Sequence, residues 1–149
     1  MKVIAGVILV AVWAFITGVV AQPGRAFGAG PDWVLVDENP VSSFYYDKSG
    51  ITKPREGIIR VPTRVVYTEE GKAETLEILK PAKGYENLYE SRFLLDLDCK
   101  NSKTKLQRVT HLDEAGTQLK MFDLADKTDW EIIPPDARIE VIAETECAR

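Results

Sequence analysis

Alternation of apolar and polar positions is clearest in "RFLLDLDCK", where Phe93, Leu95, Leu97 and Cys99 share one side of an extended chain. Arg92, Asp96, Asp98 and Lys100 share the other, with only Leu94 out of step. This period of two predicts a strand with one dry and one wet face. The polar "KNSK" then predicts a turn, "TKLQRVTHLD" a return strand, and "DEAG" a second turn into "TQLKMF". Runs joined by such short turns predict an antiparallel meander. Upstream, Ile59, Val61, Thr63, Val65 and Tyr67 alternate with Arg60, Pro62 and Arg64 in another half-buried strand. Pro62 has no amide to donate, which predicts an edge position or a bulge there. "DWVLVDENP" and "SFYYDKSGI" read as two further strands closed by turn residues.

Helical spacing is confined to two places. Ala73, Leu76 and Leu79 predict a short helix over 73–80, stopped by Pro81 and too short to stand without packing on something. In "PPDARIEVIAETECAR", alternation groups Ile139, Val141 and Ala143, whereas helical spacing groups Ile139, Ile142, Ala143 and Cys147. Asp136, after two prolines, suits an N-cap and favours the helix. The fold class is therefore α+β, mainly β.

The first residues change the picture of where the chain works. "MKVIAGVILVAVWAFITGVVA" has one lysine, an apolar run from Val3 to Val20 and small residues at its end, the pattern of a secretory signal peptide over 1–21. An uncleaved membrane anchor is the alternative, since the run is just long enough to span a bilayer. A lipid anchor needs a cysteine directly after the signal, and the first cysteine is Cys99. Residues 22–32, "QPGRAFGAGPD", predict a flexible leader, which leaves 33–149 as a single domain. Loss of Lys2 with the signal leaves 18 basic against 23 acidic residues. An acidic chain without a long basic run is a poor partner for nucleic acid and has no strong attraction to an anionic membrane. After cleavage no stable membrane insertion is expected.

An exported chain with two cysteines most simply joins them, Cys99 to Cys147. The rivals are a redox or metal-binding thiol, for which no C-x-x-C pair is present, and a bridge between two chains. His111 is the only histidine and reads as a surface or packing residue. Asp96 and Asp98 are near enough in sequence to share a proton or a cation, but a solvated charged face explains them better. Asp123, Asp126, Asp129 and Glu131 have neither the spacing nor the glycine of a calcium loop. No catalytic, metal or cofactor site is expected. Lys100, Lys103, Lys105 and Arg108 form the one basic cluster, either a solubilising hairpin tip or a contact for a sulfated or phosphorylated partner. Tyr45 and Tyr46 are candidates for an aromatic binding patch, as subsets of Tyr67, Tyr85, Tyr89, Trp33 and Trp130 could be.

The order of these features resembles the family of small bacterial envelope proteins named after surface-adhesin protein E. It is carried by "WVLV", "FYYDKSGI", "IIRVPTRVVYTEEGK", "LYESRFLLDLDCKNSKTKLQRVTHLDEAG" and "DWEIIPPDARIEVIAETEC", and spans Trp33 to Cys147. The resemblance implies an antiparallel sheet with a C-terminal helix packed on it, and it agrees with a Cys99 to Cys147 link. It also implies a surface protein that binds host macromolecules, with a protein as partner and a homodimer within its range. Two positions depart from the pattern: Pro62 stands where many relatives carry a tryptophan, and His111-Leu112 replaces a common tyrosine pair. The expected protein is thus an exported, periplasmic or cell-surface binding module, not an enzyme.

Overall fold

Antiparallel pairing organises the computed structural model, which describes residues 30–79 and 83–148. The signal segment 1–21 and residues 22–29 of the leader lie outside the described residues, as do Lys80 and Pro81. Eight strands form one sheet: β1 (Trp33–Glu38), β2 (Ser42–Asp47), β3 (Thr52–Arg55), β4 (Ile58–Tyr67), β5 (Glu90–Asp98), β6 (Lys103–Leu112), β7 (Gln118–Asp123) and β8 (Glu131–Ile132). The spatial order is β1-β2-β4-β5-β6-β7, with β3 beside β4 and β8 beside β6. The meander read from the sequence is present, since β4 to β7 are neighbours in chain order and each pair is antiparallel.

Pro62 does not mark an edge. It lies in β4, at the centre of the sheet, opposite Leu94 of β5. The Tyr67 amide donates to Tyr89 on the β5 side, and the Thr68 amide donates to Val41 on the β2 side. Even-numbered positions of β4 therefore direct their amides away from β5. On that side β2 pairs with residues 63–67 and β3 with residues 58–60. Pro62 falls in the gap where β4 changes partner, so its missing donor leaves no ladder bond unmade.

Helix α1 (Glu69–Leu79) starts earlier than its apolar spacing predicts. Thr68 accounts for the difference: its Oγ1 accepts from the Gly71 amide at 3.1 Å, and Glu69 and Glu70 occupy the positive N-terminal turn. A side chain at Gly71 would meet the Val41 carbonyl oxygen at 1.9 Å, so the close approach requires glycine. Helix α2 (Arg138–Glu146) confirms the helical reading of the C-terminal segment. Its N-cap is Ala137 and not Asp136. Asp136 has φ 63°, and its amide donates instead to Glu140, which reaches back from the first turn.

One sheet face is dry. Phe44, Tyr46, Ile59, Val61, Leu97 and Ile133 pack beneath Ile142 of α2. Cys99 and Cys147 form the disulfide that ties the end of α2 to the end of β5, with Cα atoms 5.4 Å apart. Arg138 Nε donates to Asp37 at 2.7 Å and Tyr46 Oη to Glu146 at 2.7 Å, which fasten both ends of the helix to β1 and β2. A second packed region lies further along the same face. Tyr67 Oη donates to Ser91 Oγ at 2.9 Å, which leaves the Ser91 proton for His111 Nδ1 at 2.7 Å. Tyr85 and Phe122 meet the His111 ring edge-on at 5.2 and 6.1 Å.

Candidate binding face

No helix among the described residues covers the opposite face, and the register shows which side chains it carries. Tyr45 stands opposite Arg64, and Arg64 opposite Arg92. The next row places Pro62, Leu94 and Arg108 side by side, and the next Arg60, Asp96 and Lys105. A bulge in β6 between Leu106 and Arg108 preserves this arrangement across the strand. Alternation on three strands thus makes a cationic face with an apolar strip through its middle.

Two carboxylates organise the cations. Glu90 is buried and accepts from Arg92 Nε at 2.6 Å, with Arg64 Nη1 at 3.5 Å. Asp96 is buried too and receives both Nε and Nη2 of Arg60, at 2.7 and 2.9 Å, and the Gln107 amide at 3.0 Å. The bond to Asp96 raises the pKa of Arg60, outweighing burial. The sequence reading of Asp96 as a solvated charge is corrected by this geometry. Asp96 also shares nothing with Asp98, which caps the following turn through the Lys100 and Asn101 amides. Arg64 lies 4.5 Å from the Trp33 ring and 4.7 Å from the Tyr45 ring, and Arg92 lies 5.8 Å from Trp33. Each such contact contributes about 0.5–2 kcal/mol and holds an otherwise mobile guanidinium in place.

The sequence candidates separate between the two faces. Tyr45 belongs to the open face. Tyr46 points to the opposite side, where it is buried in the core, so it does not reach an external surface there. Lys100 sits exposed in the turn after β5, while Lys103, Lys105 and Arg108 follow one another along the open side of β6. The basic cluster is therefore the margin of a sheet face more than a hairpin tip. Sequence reasoning did not find Arg60, Arg64, Glu90 or Arg92 as members of a site. Their signal was present in the polar alternation of two strands, but only the register brings it together.

The face has two recesses. One, of about 150 Å³, is lined by Trp33, Pro62, Arg92, Leu94, Arg108 and Thr110. The other, of about 300 Å³, lies among Arg55, Arg60, Lys105, Gln107, Asp126 and Trp130. Arg55 lies 6.0 Å from the Trp130 ring. Among the described residues no three of His, Cys, Asp and Glu come together as metal ligands. The one serine-histidine contact, Ser91 to His111, is closed to a substrate, because Ser91 is 0% exposed and His111 is buried beside it. No helix among the described residues is long and apolar enough to cross a membrane.

An open antiparallel sheet whose other face is covered by a C-terminal helix, latched by one disulfide, defines a small α+β class. Among solved structures this fold is similar to that of Haemophilus influenzae protein E, with TM-score 0.50 and 16% identity over 76% of this chain and 88% of that one. A second crystal form of the same protein gives TM-score 0.51 and 20% identity over 76% and 91%. The chain has a protein E-like fold, as the order of its sequence features implied. No family model matches the chain, and neither does any curated protein.

Proposed function

We propose that the protein is exported, cleaved after Ala21 and active in the cell envelope, in the periplasm or at the cell surface, as an adhesin-like binding module. It binds another protein through the open sheet face and catalyses no reaction. The observation that carries this reading is the composition of that face: Trp33, Tyr45, Arg64 and Arg92 are held together on a rigid sheet. Tryptophan, tyrosine and arginine are the residue types that dominate binding hot spots, and a sheet presents them with little entropy left to lose. The predicted signal peptide, the disulfide and the protein E-like fold all support an envelope role. The test is affinity capture from envelope and host extracts with the wild type and a Trp33→Ala/Tyr45→Ala variant. Specific capture lost in the variant is expected, and equal capture by both proteins would sink the reading. Protease shaving of intact cells then separates a surface location from a periplasmic one.

One observation favours a second reading, a subunit that assembles with copies of itself. β7 is an edge strand without proline or glycine, and Met121 and Phe122 are 50% and 45% exposed on it. Such an edge offers free backbone donors and acceptors to another strand, with Lys120 as its one cation. Light scattering of the purified protein across a concentration series tests it, a monomer throughout being the contrary result.

A further inference from the structure

We infer that the recess between Trp33 and Arg108 takes a single apolar or aromatic side chain from an acidic segment of the partner protein, its flanking carboxylates meeting Arg92 and Arg108. This rests on the reading of the open face as the binding surface. Charge is the first argument. On this side of β4, β5 and β6 stand Arg60, Arg64, Arg92, Lys103, Lys105 and Arg108, against the three carboxylates Glu90, Asp96 and Asp98. Across these three strands cations outnumber carboxylates although the whole chain carries −4, and Asp123 of β7, which stands opposite Arg108, accepts from the Ala125 amide. Those carboxylates are already engaged, Glu90 with two arginines, Asp96 with Arg60 and Gln107, and Asp98 with the turn after β5.

Donors remain on the rim of the recess. Arg92 binds Glu90 through Nε alone and its side chain is 45% exposed. Arg108 is exposed and makes no ion pair among the described residues. Guanidinium groups offer carboxylates paired donors, a match that ammonium groups lack. Between these two arginines the recess is apolar, with Pro62 and Leu94 adjacent across the strands and Trp33 also lining it. Its volume of about 150 Å³ is that of a cavity that accepts a benzene-sized group. An acidic chain with one buried apolar residue satisfies both features. A sulfated glycan would satisfy the charge and leave the apolar recess unfilled.

Calorimetric titration of the oxidised protein tests this with three extended peptides: Asp-Glu-Phe-Glu-Asp, its alanine-centred analogue, and Lys-Lys-Phe-Lys-Lys. A heparin hexasaccharide serves as the sulfated probe. The acidic phenylalanine peptide is expected to bind, less tightly at higher salt, and the other peptides weakly or not at all. Arg108→Gln is expected to weaken it about tenfold, the effect of losing one charge-assisted contact. Because Arg108 is exposed and has no ion pair among the described residues, thermal unfolding of that variant should match the wild type. Arg92→Lys, which keeps the charge and loses the fork, is the second variant and should weaken the peptide as well. Equal binding of the basic peptide, indifference to the central phenylalanine, an unaffected Arg108→Gln, or preference for the hexasaccharide would each overturn the inference. Partner capture that depends on Trp33, with no binding of the acidic peptide, would discard the acidic occupant and keep the binding face. Loss of both would discard the two together.

Discussion

Burial strips water from the His111 imidazole and lowers its pKa, and its Nδ1 is already taken by the Ser91 hydroxyl. The folded chain therefore holds the ring neutral, while an unfolded histidine takes a proton below about pH 6.5. Stability from this group is complete above that value and is lost as pH falls toward the lowered folded pKa. Denaturant midpoints measured from pH 7.5 to 5 should fall, and His111→Gln should flatten the slope in that window whatever it does to the absolute midpoint. Asp98, held low chiefly by the Asn101 side chain, contributes its own loss only as pH falls below its ordinary 3.8. Ser91→Ala leaves Nδ1 buried without its donor and should cost about 1–3 kcal/mol by urea unfolding. None of this was legible in the sequence. His111 has Thr110 and Leu112 beside it, and its partner Ser91 lies on another strand whose register sets the contact.

At the scale of elements, the parts that follow local chemistry were readable and the parts set by packing were not. The β5 and β6 pair follows from strict alternation and a polar turn, and α2 from the spacing of Ile139, Ile142 and Ala143. β3 and β8 were missed because four and two residues carry no periodicity. Pro62 misled for a physical reason, since a missing amide is harmless wherever a strand changes neighbours. The start of α1 was hidden by Gly71, a poor helix former kept there by the Val41 carbonyl. Gly71→Ala should therefore destabilise the protein, although alanine favours a helix by about 1 kcal/mol; thermal unfolding gives the sign. For α2, replacing both cysteines by serine should cost about 4 kcal/mol, the entropy of a loop that spans 48 residues. Ile142→Ala should cost about 2–5 kcal/mol by removing a wholly buried side chain from the core. Circular dichroism with denaturant measures both.

For the whole molecule, the division of labour between two faces is the controlling feature. Folding is concentrated on the side under α2, so substitutions on the other side should change binding with little change in stability. Lys105→Gln/Arg108→Gln should leave the unfolding free energy within about 1 kcal/mol, since neither side chain is in an ion pair among the described residues, while removing two cations from the lower half of the face. Loss of partner capture with an unchanged melting curve is the expected pair of results. The sequence showed the cations of this face one strand at a time; their assembly around Trp33 was beyond it, because that residue reaches across from the far edge of the sheet. Helix α1 stands outside both faces. Its only buried residue is Gly71, and Ile78 is 82% exposed. A helix whose apolar positions Leu76 and Leu79 are only half-buried opens more readily than the sheet, so its amides should exchange with deuterium well before those of β4 and β5. A protease that finds it can nick the chain there; the disulfide lies wholly in the piece after the cut, so the two pieces stay together through the β4–β5 pairing and the core beneath α2. Such a nicked protein would still bind.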